Sequence, residues 1–99
     1  MSEEAITKEK VETSVKRPNL YRVVLLNDDY TTMDFVVHIL VTVFHKAVPD
    51  ATRIMLDVHE KGRGIVGVYT YDIASTKVAR VEELAREYEF PLKAIIEEV

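Results

Sequence analysis

The chain has 99 residues, no cysteine and a formal net charge of −4. Its length and its hydrophobic content of 47% suffice for one small domain with a single core. The lack of cysteine excludes disulfides and zinc–thiolate sites. Residues 1–19 carry four acidic and four basic groups, so the acidic excess lies in the remainder, which argues against nucleic-acid binding because that requires a basic face.

The N-terminal segment, residues 1–18, is rich in Glu, Lys, Ser and Thr and ends at Pro18. This composition predicts a flexible extension, followed by a folded core domain over residues 19–99. The first residues lack the continuous apolar segment of a signal peptide. The most apolar stretch, residues 35–44, is interrupted by His38 and is too short to span a membrane. We therefore expect a cytoplasmic, soluble protein without a membrane partner.

The first predicted elements are a strand and a helix. Apolar and β-branched residues from Leu20 to Leu26 predict a mostly buried strand. Thr31 and Thr32 then offer a helix N-cap. Apolar residues at spacings of three and four predict one buried helical face as far as Ala47. Its members are Met33, Val37, Leu40, Phe44 and Ala47, widened by Val36 and Val43.

A second helix is predicted between Pro49 and Gly62. Proline disfavours helical geometry in the residue before it and suits the first turn of a helix, whereas glycine commonly ends one. The apolar positions of this helix are Ala51, Ile54, Met55 and Val58.

The rest of the chain predicts a strand over residues 65–71, a helix from about Ser75, and a short strand over residues 92–96 after Pro91. The element order is β-α-α-β-α-β. We therefore expect an α+β domain in which a small three-stranded antiparallel sheet is packed with three helices. The face of the third helix should contain Val78, Val81, Ala85 and Tyr88.

Residues 62–67, Gly-Arg-Gly-Ile-Val-Gly, match the dinucleotide-binding fingerprint G-x-G-x-x-G. That fingerprint requires a strand before it and a helix after it, so that the phosphate meets the helix N-terminus. Here a helix precedes and a strand follows. Helix termination and a turn therefore explain these glycines.

The three histidines do not form a metal-binding pattern. His38 and His45 would lie two helical turns apart, whereas a chelating pair on one helix is spaced by three or four residues. We expect both on the surface, and we predict no metal site and no cofactor. His59, near the end of the second helix, is by itself a surface group favoured by the helix dipole. It becomes a candidate binding residue if the fold brings it close to Asp28.

Residues 27–29, Asn-Asp-Asp, place an amide and two adjacent carboxylates between a strand and a helix. Capping and turn chemistry explain this most simply, and the alternative is that a cation is held there. A hydrolytic triad of Asp28, His59 and a hydroxyl lacks an activated nucleophile, because Thr31 and Thr32 fit caps and no serine lies in a nucleophile-elbow context. We therefore expect no enzymatic activity.

Short blocks of residues are more specific than the periodicity. They are N-D-D-Y-T-T-M-D-F-V at residues 27–36, A-T-R-I-M-L-D-V-H at residues 51–59, Gly62, Thr76-Lys77-Val78 and Pro91-Leu92. Together they resemble the ClpS family of Clp protease adaptors, and the resemblance extends over residues 20–99 in register without gaps.

The resemblance implies an adaptor for N-degrons, which are exposed N-terminal residues that mark proteins for degradation. Such an adaptor binds substrates that begin with Leu, Phe, Tyr or Trp, delivers them to a ClpA- or ClpC-type AAA+ unfoldase, and modulates the substrate choice of that unfoldase. By position, Asp72 and Lys77 would contact the N-terminal domain of the unfoldase, and residues 1–18 would act on it during delivery. The family also suggests a monomer.

The resemblance also assigns the binding site. Asn27, Asp28 and His59 would hold the substrate's α-amino group and first peptide unit. The side-chain pocket would be lined by Thr31, Met33, Val36, Met55, Val58 and Leu92.

The three polar residues suit an α-ammonium group, a compact cation with up to three donors. A carboxylate of Asp28, the amide oxygen of Asn27 and an unprotonated nitrogen of His59 are acceptors of the required kind. An internal peptide unit has neither the charge nor the donors, so these acceptors would stay unpaired and chain termini would be selected. Protonated His59 would place one cation beside another, so binding should weaken in acid.

Thr32 departs from the family pattern, which usually has proline at this position. The change frees the backbone at the helix entry, and either loosens the pocket rim or supplies a better cap. It leaves open a divergent paralogue with an altered side-chain preference. The alternative function is a non-catalytic docking domain without a peptide-binding cleft, because a fold alone does not fix a function.

Overall fold

The structure is a computed structural model that describes residues 17–99. The element order and the three-stranded antiparallel sheet confirm the predicted fold. The elements are β1 (Leu20–Leu26), α1 (Met33–Thr42), α2 (Val48–Lys61), β2 (Arg63–Thr70), α3 (Tyr71–Glu87) and β3 (Lys93–Glu98). All but the last two residues of the predicted extension, residues 1–18, lie outside the described range. None of the helices within residues 17–99 is long and apolar enough to cross a membrane.

The central strand of the sheet is β1, with β2 on one side and β3 on the other. Leu26 pairs with Arg63 of β2 and Lys93 of β3, and Leu20 pairs with Thr70 at the opposite end of β1. We call these regions the Leu26 end and the Leu20 end of the sheet. They are roughly 20 Å apart, because a strand rises about 3.3 Å per residue.

The core lies between the helices and one face of the sheet. Successive side chains of a strand point to opposite faces, and Val23 and Leu25 join helical side chains in the core. On β2, Val66 belongs to the same cluster. The core side chains with the least exposure include Leu25, Ile39, Leu40, Ile54 and Val81.

The first helix is shorter than predicted. Thr32 is its N-cap, and the Thr32 hydroxyl accepts a hydrogen bond from the Phe35 N–H at 3.1 Å, which confirms one of the two predicted caps. The helix ends at Thr42. The carbonyl of the next residue, Val43, accepts a hydrogen bond from the Lys77 ammonium group at 2.9 Å. A contact made far along the chain therefore accompanies the end of the helix.

The buried face of α1 also differs from its prediction. Apolar residues surround most of this helix, so their spacing alone does not single out the face that is buried. Met33 is 44% exposed, and Ala47 is the N-cap of α2 rather than a member of α1. The buried residues within α1 are Phe35, Val36, Ile39 and Leu40.

The second helix ends as predicted. Gly62 is its C-cap with a left-handed φ of 88°, a conformation that favours glycine. Gly64 allows β2 to pack closely on α2, because a Cβ atom there would lie 2.7 Å from Val58 Cγ2 and 2.9 Å from the Ile54 carbonyl oxygen. A strand follows these glycines, so the dinucleotide fingerprint is rejected. The four predicted buried positions, Ala51, Ile54, Met55 and Val58, are confirmed.

The third helix begins at Tyr71, four residues before the predicted Ser75, and β2 ends at Thr70. The prediction was wrong because it took Ser75, which lies inside the first turns, as the start. Asp72 in the first turn suits the positive end of the helix dipole. Of the predicted face, Val81 and Ala85 are buried, Val78 is half-buried and Tyr88 is exposed. The last strand begins and ends later than predicted, after buried Leu92.

Candidate functional site

The Leu26 end of the sheet brings together the end of β1 and the end of α2. The N–H of Asn27 donates a hydrogen bond to the Gly62 carbonyl at 3.0 Å, and Gly62 caps the helix that carries His59. Asn27 is therefore fixed beside the last turn of α2. The side chains of Asn27 and His59 belong to exposed residues, so both are accessible to a ligand at this end.

The Asp28 carboxylate organises the loop between β1 and α1. Its Oδ1 accepts hydrogen bonds from the N–H groups of Tyr30 at 2.8 Å and Thr31 at 2.7 Å. Its Oδ2 accepts a hydrogen bond from the Thr31 hydroxyl at 2.6 Å. A carboxylate offers about four acceptor sites, so these donors leave about one, on Oδ2. Asp28 thus performs the turn chemistry and keeps a single acceptor direction for a cation.

These hydrogen bonds also set the charge of Asp28. Partial desolvation raises its pKa, but the bonds from the Thr31 hydroxyl, the Thr31 N–H and the Tyr30 N–H outweigh that effect, and the pKa of Asp28 lies below its usual value. The carboxylate is therefore an anion at neutral pH and a weak base. A weak base is poorly suited to activating the Thr31 hydroxyl as a nucleophile.

Asp29 is a candidate ligand-binding residue that is not among the site residues assigned by the family resemblance. It is exposed, and within residues 17–99 its carboxylate takes part in no hydrogen bond or ion pair. Both of its oxygens are thus available as acceptors, in contrast to those of Asp28. The sequence carried the signal, since two adjacent carboxylates stand out in the Asn-Asp-Asp stretch.

The cations near Gly62 are already paired with other acids. The Lys61 ammonium group lies 3.3 Å from an Asp57 carboxylate oxygen, and the Arg63 guanidinium donates to Glu97 at 2.7 Å. The hydrogen bond from Arg63 lowers the pKa of Glu97. Neither cation is paired with the carboxylates of the loop after β1, which leaves the charge of that loop negative and suited to a cationic ligand.

The residues predicted to line a side-chain pocket differ in exposure. Met33 is exposed and Thr31 is half-buried. Val36, Met55, Val58 and Leu92 are buried members of the hydrophobic core, 2–8% exposed. The structure thus places four of the six in the hydrophobic core, with Thr31 half-buried and Met33 at the surface. Their role as a pocket stays a prediction.

Two surface cavities have other linings. One, of about 440 Å³, is lined by the end of α3 and the start of β3, including Phe90, Leu92 and Ala94. It shares only Leu92 with the predicted pocket. The second, of about 470 Å³, lies between α2 and β2 and is lined by Arg53, Asp57, Lys61, Arg63 and Ile65. It contains none of the predicted pocket residues.

The two residues predicted to contact an unfoldase have different surroundings. Asp72 is exposed in the first turn of α3, near the Leu20 end. Lys77 is half-buried, and besides its bond to Val43 its ammonium nitrogen lies 5.7 Å from the Phe44 ring centroid and 5.8 Å from that of Tyr69. Lys77 therefore has a structural role that its sequence position did not predict.

The remaining histidines lie where the sequence places them. His38 and His45 are both exposed. Across residues 17–99, no three histidine or acidic residues are grouped so that they could hold a metal ion.

The comparison with known families decides the family of the chain. The model of the ATP-dependent Clp protease adaptor protein ClpS matches residues 16–95. The chain belongs to the ClpS family. The ClpS adapter protein of Acetivibrio thermocellus is 65% identical over 97 residues and covers 98% of both chains. The ClpS adapter protein of Syntrophus aciditrophicus is 62% identical over 88 residues, which are 89% of this chain and 82% of its own.

A solved ClpS structure has the same fold. Agrobacterium tumefaciens ClpS2 bound to L-phenylalaninamide matches with a TM-score of 0.81 and 41% sequence identity, over 84% of this chain and 100% of that one. The resemblance of the sequence to the ClpS family is thus confirmed. The chain is an adaptor of an ATP-dependent Clp protease, which is its partner.

Proposed function

We propose that this ClpS-family adaptor binds N-degrons through a free α-amino group and a large hydrophobic first side chain, Leu, Phe, Tyr or Trp. The observation that carries the proposal is the likeness to a ClpS2 solved with L-phenylalaninamide. That ligand consists of an α-amino group, a benzyl side chain and a carboxamide, which are the recognisable parts of an N-terminal phenylalanine. The likeness disfavours the alternative of a docking domain without a peptide-binding cleft.

The α-amino group is held by Asn27, Asp28 and His59 in this proposal. The backbone bond from Asn27 to Gly62 supports it, because it holds Asn27 beside the helix turn of His59. The open acceptor direction on Asp28 Oδ2 and the carboxylate of Asp29 both offer a charge-assisted hydrogen bond, which contributes about 1.5–3 kcal/mol. These groups select chain termini, since an acylated amine lacks the charge.

The first side chain enters the apolar region of α1 and α2 in this proposal. Burial of a Leu or Phe side chain contributes roughly 2–3 kcal/mol. Unbranched thioethers adapt to aliphatic and aromatic guests, so Met33 and Met55 suit a pocket for both. Together with the charged hydrogen bonds and after association costs, an affinity on the order of micromolar is expected. The family resemblance assigns Thr31, Met33, Val36, Met55, Val58 and Leu92 to this pocket.

The test compares two labelled peptides that differ only at the first nitrogen. A peptide that begins with free Phe should bind, and its N-acetylated form should bind at least roughly 100-fold more weakly, because it loses the charge and two donors. Fluorescence anisotropy over a range of adaptor concentrations measures both affinities. Equal binding of the two peptides would refute recognition of the α-amino group.

A panel of free-amine peptides measures the side-chain preference. Peptides that begin with Leu, Phe, Tyr or Trp should bind, whereas a peptide that begins with Gly provides the matched control without a side chain. The same panel on Thr32→Pro determines whether Thr32 alters the preference. An unchanged rank order would restrict Thr32 to its role as the cap of α1.

Delivery completes the proposed function. The adaptor acts as a monomer in the cytoplasm, without catalysis of its own, and contacts the N-terminal domain of a ClpA- or ClpC-type unfoldase through Asp72 and Lys77. Residues 1–18 act on the unfoldase during delivery. Degradation of a Phe-initiated reporter by purified ClpAP and ClpCP, each with and without the adaptor, identifies the partner. A chain that lacks residues 1–16 should still bind the peptide but deliver it poorly.

A further inference from the structure

We propose that Thr31 serves the α-amino site as a positioning residue, because its hydroxyl holds the Asp28 carboxylate, and that it is not a wall of the side-chain pocket. The inference rests on the proposed N-degron binding. It concerns how the loop between β1 and α1 is held in the geometry that binds the ammonium group.

The loop between β1 and α1 is held by three hydrogen bonds to a single carboxylate, that of Asp28. Thr31 supplies two of the three donors to Asp28, its N–H at 2.7 Å to Oδ1 and its hydroxyl at 2.6 Å to Oδ2. The third donor is the Tyr30 N–H. Because the Thr31 hydroxyl donates its single proton to Oδ2, that bond fixes the one carboxylate oxygen that retains an acceptor direction.

Two further hydrogen bonds join the loop to the rest of the site. Asn27, immediately before Asp28, is anchored to Gly62 at the end of α2. Thr32, immediately after Thr31, caps α1 by accepting from Phe35. The loop is therefore fixed at both ends, and the hydroxyl of Thr31 orders its middle. Acceptors held in place before the ligand arrives bind it more tightly, since less freedom is lost on binding.

The two adjacent threonine hydroxyls thus have separate roles. The Thr32 hydroxyl is an acceptor for a helix N–H, whereas the Thr31 hydroxyl is a donor to a carboxylate. A side chain whose polar atom is committed to Asp28 has its main effect on the amino end of a ligand. A pocket wall would instead affect the first side chain of the ligand.

The two roles predict different patterns across ligands. Loss of a positioning group weakens all free-amine peptides by the same factor, because they share the α-ammonium. Loss of a wall changes the rank order of Leu, Phe and Trp peptides, because their side chains differ in shape. Valine has nearly the shape of threonine without the hydroxyl, so Thr31→Val removes the donor and keeps a wall. Thr31→Ser keeps the donor and removes the methyl group of a wall, so the pair of variants separates the two roles.

The experiment measures full-length parent, Thr31→Val, Thr31→Ser and Thr42→Val by fluorescence anisotropy with Leu, Phe and Trp peptides and N-acetyl-Phe peptide. Thr31→Val should bind each free-amine peptide about tenfold more weakly, a loss typical of a hydrogen bond to a charged group. Thr31→Ser should stay within about twofold of the parent, because it keeps the donor. Thr42→Val is the matched control, since the Thr42 hydroxyl only donates to the His38 carbonyl at 2.8 Å on an exposed surface.

A second readout follows the carboxylate itself. The Thr31 hydroxyl is among the hydrogen bonds that lower the pKa of Asp28, so the ¹³C chemical shift of the Asp28 carboxyl should titrate at higher pH in Thr31→Val than in the parent and Thr31→Ser. A purely structural change elsewhere would not move this titration.

Parental affinity of Thr31→Val, or a changed rank order of the Leu, Phe and Trp peptides in Thr31→Ser, would overturn the inference while leaving N-degron binding intact. Failure of the parent to distinguish free from acetylated peptide would instead overturn the proposed function. If Thr31→Val shows no cooperative thermal transition, the peptide affinities of Thr31→Ala at low temperature and of Thr31→Ser test the positioning role instead. Loss of peptide binding in Thr31→Ser contradicts that role.

Discussion

The two ends of the central strand are built in different ways. At the Leu26 end, the key hydrogen bonds join neighbours in sequence, from Tyr30 and Thr31 to Asp28. At the Leu20 end, contacts join distant parts of the chain. The Lys77 ammonium group donates to Val43, and the N–H of the last residue donates to Leu20 at 3.0 Å. The loop at the first end is held by local hydrogen bonds and is joined to α2 by one distant bond, from the Asn27 N–H to the Gly62 carbonyl, whereas the contacts at the second end are all products of tertiary packing.

The separation has a functional meaning. An adaptor must hold a substrate and a protease component together, and the proposed sites for these two tasks lie near opposite ends of a strand roughly 20 Å long. Substitutions more than about 10 Å apart without shared partners usually act independently. Changes at the Leu26 end should therefore affect peptide binding, and changes at the Leu20 end should affect unfoldase binding.

The largest expected effect concerns the two loop carboxylates. Asp28→Asn and Asp29→Asn each remove a negative charge without changing size, and loss of a charged partner should weaken binding of the free-Phe peptide about 10- to 100-fold. Isothermal titration of each variant with the free-Phe peptide identifies the carboxylate that binds the ammonium group. Unfoldase binding, measured in parallel, should not change in either.

If Asp28→Asn binds like the parent while Asp29→Asn does not, the assignment of Asp28 to the α-amino group is wrong, and Asp28 is then confined to holding the loop. If both variants lose unfoldase binding as well, the separation of the two ends fails.

A second effect arises where α2 and β2 meet. Gly64→Ala places a methyl group 2.7 Å from Val58 Cγ2 and 2.9 Å from the Ile54 carbonyl oxygen, so the free energy of unfolding should fall by about 1–3 kcal/mol. The backbone shift should also disturb the Leu26 end. Urea denaturation gives the stability and peptide titration gives the affinity.

Gly62→Ala is the matched control for this variant. No atom lies within 4 Å of a Cβ there, but φ is 88°, so the cost is limited to backbone strain, about 1 kcal/mol. A larger loss for Gly62→Ala than for Gly64→Ala would contradict the close packing of β2 on α2.

A smaller effect separates Asp72 from Lys77 at the Leu20 end. Lys77→Met removes the bond to Val43 and the ammonium group near two aromatic rings, so stability should fall by about 1–2 kcal/mol. Asp72→Asn changes an exposed residue and should leave stability within about 0.5 kcal/mol. Thermal denaturation measures both.

Unfoldase binding then assigns the roles. If Asp72→Asn weakens unfoldase binding at unchanged stability, Asp72 is a direct contact. Lys77→Met should also be measured at a lower temperature, at which its stability equals that of the parent. If its unfoldase binding is then fully restored, the role of Lys77 is structural only.

The smallest effect is in the pH dependence of stability. The pKa of Asp28 is lowered in the folded protein, so its contribution is present above the usual aspartate pKa of about 3.9 and is lost as the pH falls through the lower folded value. Urea midpoints between pH 6 and pH 2 should decline less steeply for Asp28→Asn than for the parent. Parallel curves would show that the loop bonds do not stabilise the folded state.

The sequence by itself determined the order of the elements and the local chemistry at the Leu26 end. Turn and cap residues act on their nearest neighbours, so Thr32 as a cap and Gly62 as a helix stop were predictable. The clear apolar period of α2 fixed its buried residues in the same way. Family motifs added the candidate binding residues, which periodicity could not supply.

Only the tertiary structure decided which apolar residues of α1 are buried, since that helix is apolar on most sides and its partners select the face. The carbonyl just beyond the end of α1, that of Val43, accepts a hydrogen bond from Lys77, which lies 34 residues away. The meeting of Asn27 with Gly62 depended on the pairing of β1 with β2. In each case the deciding partner is distant in the chain, and local propensity carries no information about a distant partner.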